Sequence, residues 1–130
     1  MATSVKGILL DVRKEKVHVI EIKEAADELC RILNCTLLDI TFRKIGNVPV
    51  NIIADDIGAL QESPKISAID SLGHAQLVGN IFIAGDTDYE KSSGLTSLSQ
   101  KEIDYILSKI LVLPTCKYPN GYPILTHCNF

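Results

Sequence analysis

Tryptophan is absent from this chain of 130 residues, methionine occurs once, and aromatic side chains make up only 5%. Its core must therefore be built from Ile, Leu and Val. No CxxC pair joins the four cysteines Cys30, Cys35, Cys116 and Cys128. No stretch of about 18 apolar residues and no signal-peptide pattern occurs either. The chain therefore reads as cytoplasmic with reduced thiols and no membrane association. Charge of one sign is also missing, since 13 Lys and Arg stand against 16 Asp and Glu for a net charge of −3. That balance leaves no basic footprint for direct nucleic-acid binding and is too small to imitate nucleic acid. Catalytic constellations, nucleotide fingerprints and metal clusters with a strong spacing signature are absent, so no catalytic residue, metal or cofactor is assigned.

What is present is one domain's worth of ordinary globular sequence, 46% hydrophobic and 22% charged, long enough to bury a core. Two extended runs over 5–11 and 16–22 predict an antiparallel hairpin. Ala25, Ala26, Leu29, Ile32 and Leu33 recur at helical spacing, which predicts a helix from 24 to about 34. Over 36–43 the chain alternates, with Leu38, Ile40 and Phe42 opposite Asp39, Thr41 and Arg43, so the apolar set is expected to face the core. After Gly46-Asn47 the alternation resumes as Val48, Val50, Ile52 and Ala54, giving a second hairpin. Asp55 to Gly58 reads as a turn.

A short extended run over 66–69 leads through the turn Asp70-Ser71-Leu72-Gly73 into a strand over 77–84 that is apolar on both sides. Such a strand is central, or its second face is covered by the tail or a partner chain, and a homo-oligomer is expected on that ground. Residues 86–94 read as a polar loop. Ser99 and Glu102 fit a capping box, and Leu98 with Ile103 a hydrophobic staple. They open a helix over 100–110 with Ile103, Ile106, Leu107, Ile110 and Leu111 on its apolar face. The tail, 114–130, carries Pro114, Pro119 and Pro123 and is expected to be irregular, with one short strand near 124–126. The fold class predicted is α+β: an antiparallel or mixed sheet of about five to six strands with two helices packed on one face.

The richest candidate site runs from Lys65 to Gly85. Asp70, Gly73, Gly79 and Asn80 can set a carboxylate, backbone amides and a carboxamide around a small ligand. Lys65, Ser67, His74 and Gln76 flank the turn and can line one mouth, while Tyr118 and Tyr122 from the tail add aromatic surface. The competing reading makes Asp70 the cap of a hairpin turn closed at Gly73, with Gly79 a bulge. Other constellations are weaker: a discontinuous zinc site from the cysteines with His18, His74 and His127, a metal role for Asp55 and Asp56, and a nucleophilic Cys116 or Cys128 activated by His127.

Several stretches together resemble a known family. Ser67-Ala68-Ile69-Asp70 is followed by Gly73 and by Leu77-Val78-Gly79-Asn80-Ile81. Later come Thr96-Ser97-Leu98-Ser99, Tyr118-Pro119-x-Gly-Tyr122-Pro123 and Cys128-Asn129. This set resembles a family of small proteins, a domain of unknown function, from phages, plasmids and conjugative elements of Gram-positive bacteria. The resemblance spans nearly the whole chain and carries no functional residues across. It implies a genetic context, the accessory genes of mobile elements, where many small proteins inhibit or bypass host defences. The function expected in that setting is a non-enzymatic binding protein that sequesters a small nucleotide signal or inhibits a host defence protein. The alternatives are a small enzyme acting on a nucleotide, hydrolase or transferase, and a structural or regulatory oligomerisation module.

Overall fold

The structure, a computed structural model, describes residues 5–11, 16–22, 31, 38–55, 66–85, 97–113 and 122–129. The first two elements are β1 (Val5–Asp11) and β2 (Lys16–Ile22), paired antiparallel in unbroken register from Val5↔Ile22 to Asp11↔Lys16. The next hairpin joins β3 (Leu38–Ile45) to β4 (Val48–Asp55) through Gly46-Asn47. Asp55 thus ends a strand and does not open the expected turn. Of the helix expected over 24–34, only Arg31, in helical backbone, lies among the described residues.

The expected strand over 77–84 is two strands. β5 (Ile66–Ile69) pairs with β6 (Ala75–Val78), after which the chain leaves that sheet and enters another as β7 (Ile81–Gly85). Gly79 makes the crossing at φ +78°, a left-handed conformation that side-chain-bearing residues rarely adopt. Apolar runs on either side hide this break, because only Gly79-Asn80 separates them and neither sheet leaves a different period in the sequence.

Helix α1 (Gln100–Ser108) starts as its capping box requires: Ser99 Oγ accepts from the Glu102 N–H, and a Glu102 carboxylate oxygen accepts from the Ser99 N–H. It stops short of the expected end, and β8 (Ile110–Leu113) follows immediately. The tail is more regular than expected, adding β9 (Tyr122–Leu125) and β10 (Cys128–Asn129).

These ten strands form a six-stranded sheet, β10-β3-β4-β7-β1-β2, and a four-stranded sheet, β6-β5-β9-β8. The first is antiparallel throughout, whereas β5 and β9 in the second run parallel. The α+β fold with two helices on one face is thereby corrected to a mostly-sheet fold, with α1 the one helix whose bounds are described. The physical reason is that the extended run 66–69 and residues 75–78 form a second sheet with 110–113, expected in part as the helix end, and 122–125, expected in an irregular tail. Their sheet supplies much of the cover expected from a helical layer.

The main core lies between them. Ile8, Leu10, Val50, Ile52, Ile81 and Ile83 project from the large sheet and meet Ala68 and Leu125 of the small one, with Leu98, Ile103 and Ile106 closing it beside α1. Full burial of each Ile, Leu or Val side chain there stabilises by roughly 1.5–3 kcal/mol. Leu107 and Leu111, expected on the apolar helix face, are instead exposed. On the other face of the large sheet Val5, Leu9, Ile22, Ile53, Phe82 and Ala84 form a second buried cluster. All five residues of β7 are buried, as a strand between β4 and β1 with both faces covered must be.

Candidate functional site

Asp70 sits where β5 turns into β6, and its carboxylate organises the turn. Oδ1 accepts from the Leu72 and His74 N–H groups, each at 2.9 Å, and Oδ2 accepts from Gln76 Nε2 at 3.1 Å. The backbone closes the loop: Gly73 N–H donates to Asp70 O, and Asp70 N–H to His74 O. His74 Nδ1 lies 3.5 Å from Oδ2, although the His74 side chain is 72% exposed. These contacts hold the Asp70 carboxyl below the usual carboxylate range. The His74 N–H contributes most, the Leu72 N–H and the His74 ring add to it, and desolvation opposes.

The Asp70 turn is tied to the large sheet by a side chain that sequence reading turned toward solvent. Arg43 on β3 is buried, donating from Nη1 to Gln76 Oε1 at 2.6 Å and from Nε to Thr41 Oγ1 at 3.3 Å. Gln76 thus spans from carboxylate to guanidinium, joining the two sheets through one polar chain. A second tie runs to the tail. Asn129 Oδ1 accepts from the Ser71 N–H at 3.1 Å, and Asn129 Nδ2 donates to Ser71 Oγ at 2.9 Å and to His127 O at 3.3 Å. His127 is held at φ +60°, and its carbonyl also accepts from the Gly46 N–H.

The expected mouth does not assemble as one pocket wall. Asp70, Gly73, His74 and Gln76 cluster at one end of the β5–β6 hairpin, whereas Gly79 and Asn80 lie beyond the other end of β6, about 13 Å of strand away. Ser67 on β5 is fully buried, and its hydroxyl has no hydrogen-bond partner among the described residues. Lys65 and Tyr118 lie outside the described residues, and of Tyr122 only the backbone, paired with Leu113, is described.

Cys128 packs at 0% exposure in the main core, and burial pushes its thiol up to about 11. It is a neutral core group at neutral pH, with none of the thiolate character a nucleophile needs. The ring of neighbouring His127 is exposed, with Nδ1 2.9 Å from Thr126 Oγ1. Cys30, Cys35, Cys116 and Asp56 lie outside the described residues. Among the described residues no group of three or more His, Cys, Asp or Glu is placed to hold a metal ion, and no helix is long and apolar enough to cross a membrane.

Sequence reading missed a different surface. The register Ile40↔Ile53 and Thr41↔Ile52 puts Thr41 and Arg43 on the main-core side of β3 and turns Ile40 and Phe42 to the opposite face. There Ile40 is 57% exposed and Phe42 41% exposed, although the cross-strand partner of Ile40, Ile53, is fully buried. β10 pairs only with Lys44 and Ile45, so along residues 38–43 no strand among the described residues covers the outer edge of β3. An open edge carrying exposed apolar side chains is the surface on which an extended segment of another chain can pair. Comparison of the chain with protein-family models, with curated proteins and with solved structures gives no match.

Proposed function

We propose that this chain is a non-enzymatic binding protein, acting in the bacterial cytoplasm, whose target is another protein. The observation that carries this reading is the exposure of Ile40 and Phe42 on the open edge of β3, continuous with the buried Ile53 and Phe82. An aliphatic and an aromatic side chain beside strand backbone that no strand among the described residues pairs supply the apolar anchor and the hydrogen-bonding row of an interface centre. The alternative target, a small nucleotide, draws less support. The Asp70 carboxylate and both ends of the Gln76 amide are engaged in internal hydrogen bonds, which favours a structural turn. The resemblance to proteins of mobile elements supports placing the target among host defence proteins.

The test compares the wild-type chain with the variant Ile40→Glu/Phe42→Glu as bait in lysate of a Gram-positive host. The expected result is a protein retained by the wild type and lost from the variant, with both baits equally folded by circular dichroism. Native mass spectra showing a bound compound of a few hundred daltons and no protein would replace this reading with sequestration of a small ligand. A protein retained equally by both baits would move the interface off β3.

A further inference from the structure

The large sheet ends at β2, an edge strand longer than β10, β6 and β8. β10 has two residues, while β6 and β8 have four each, and the β5–β6 pairing is broken by two register shifts. β2 instead runs for seven residues in continuous register with β1, without a bulge or proline, and no strand among the described residues pairs with its outer side. Short strands, bulges and prolines are among the devices that blunt an edge. β2 has none of these three; its charged residues, Lys16 and Glu21, stand near its two ends, and its midpoint, Val19, is 44% exposed.

We infer that β2 is a self-association edge, pairing antiparallel with β2 of a second copy across a two-fold axis perpendicular to the sheet. Such an axis keeps each side chain on its own face, so paired residue numbers must share parity. The full seven-residue overlap meets that condition, with Val19 at its centre. Val19 then lies opposite Val19 of the second copy, His18 opposite Ile20, Val17 opposite Glu21 and Lys16 opposite Ile22.

Charge placement agrees with this occupant. No like charges are opposed: the two Glu21 side chains lie four strand positions apart, roughly 13 Å, and the two Lys16 side chains six positions apart, roughly 20 Å. At physiological salt both separations exceed the screening length of about 8 Å. The exposed valine meets its own copy on one face, and a half-buried Ile20 is covered by His18 on the other. The product is a continuous twelve-stranded sheet, twice the six strands of one copy. Both β3 edges stay at its outer ends, so the inference stands independently of the proposed function.

The test is sedimentation equilibrium of the full chain together with disulfide trapping. The wild type is expected at twice the 14.2 kDa chain mass. Val19→Lys, which opposes two ammonium groups at the axis, is expected at the single-chain mass with an unchanged circular dichroism spectrum. Under diamide, Val19→Cys is expected to form a covalent dimer above the wild-type background. Glu21→Cys alone should not, whereas Val17→Cys combined with Glu21→Cys should. A monomeric wild type overturns the inference, as does a dimer that Val19→Lys leaves intact or that Val19→Cys fails to trap. A wild-type monomer whose β2 edge is taken by a strand of a different protein counts among these refutations.

Discussion

The two strands of the β3–β4 hairpin carry nearly the same alternation, yet they use it in opposite ways. In β4 the side chains on the main-core side are Val50, Ile52 and Ala54, all buried, as apolar patterning predicts. In β3 the same side carries Thr41 and Arg43, and apolar Ile40 and Phe42 are turned outward. Pairing register ties the two strands together, so once β4 commits its apolar set to the main core, β3 must present whatever lies in phase with it. Arg43 is made tolerable there by Gln76, which reaches across from the small sheet. The lesson is that alternation identifies two faces, while the neighbouring strand decides which of them is covered.

The sharpest break of this comparison uses Ile53 and Ile40, direct cross-strand partners on one face with 0% and 57% exposure. Ile53→Ala should cost about 2–5 kcal/mol in urea unfolding, because its removal leaves a cavity between packed neighbours. Ile40→Ala should cost under about 1 kcal/mol, the range for a side chain already half in water. Equal losses at the two positions would mean that the outward face of β3 is covered, and the protein-binding reading would lose its surface.

Next in size is the polar side of β3. Arg43→Met keeps the aliphatic length but leaves Gln76 Oε1 without its guanidinium donor, and should cost about 2–3 kcal/mol. Arg43→Lys should recover little, since an ammonium cannot reproduce the forked donor geometry that reaches both Gln76 and Thr41. A double-mutant cycle with Gln76→Ala should return a coupling of about 1 kcal/mol or more. A coupling of zero would show that the bridge between the sheets does not contribute to stability.

How much of this was legible follows from the kind of signal each element leaves. The hairpins β1–β2 and β3–β4 were readable because local alternation is interrupted at their connections, and α1 because Ser99 and Glu102 lie in one turn. The separation of β6 from β7 was not, since Leu77-Val78 and Ile81-Phe82-Ile83 are equally apolar and only Gly79-Asn80 marks the change of sheet. Ile110 and Leu111 of β8 continue the apolar spacing of α1, and Pro123 argues against pairing although it lies opposite Val112 in the ladder. At the candidate site, the Asp70 turn was visible from Asp-Ser-Leu-Gly. Its partners were not: Arg43 lies 33 residues from Gln76, and Asn129 lies 58 residues from Ser71. Contacts that distant in sequence have no local pattern to betray them.

The connection between the two contrasted strands supplies a smaller test. Gly46 takes φ +61°, and the space where a Cβ would stand is filled by the Tyr105 hydroxyl of α1. Gly46→Ala should therefore cost about 2 kcal/mol, combining left-handed strain with displacement of Tyr105. Adding Tyr105→Phe should return part of that loss, because the nearest obstructing atom is the hydroxyl itself. If Tyr105→Phe returns nothing, the hydroxyl is not the obstacle, and the cost belongs to the backbone or to the ring carbon that Phe retains.

The smallest effect is a pH dependence, and it asks whether the turn that aims Gln76 at Arg43 is held by charge. The Asp70 carboxyl titrates lower in the folded chain than the value of about 3.9 expected when unfolded, chiefly through the His74 N–H. As pH falls, the unfolded chain takes up this proton first. The stabilisation is therefore fully present above about pH 4 and is lost as pH drops through the folded value. Asp70→Asn removes the titration while keeping an oxygen for the Leu72 and His74 N–H groups. The variant should be less stable than wild type at neutral pH, and its melting temperature should fall less steeply between about pH 5 and 3. Parallel acid slopes would show that the carboxylate works in the turn as a hydrogen-bond acceptor only. In that case the tie to Arg43 depends on the shape of the turn, and the polar side of β3 is held in place without help from the charge at its far end.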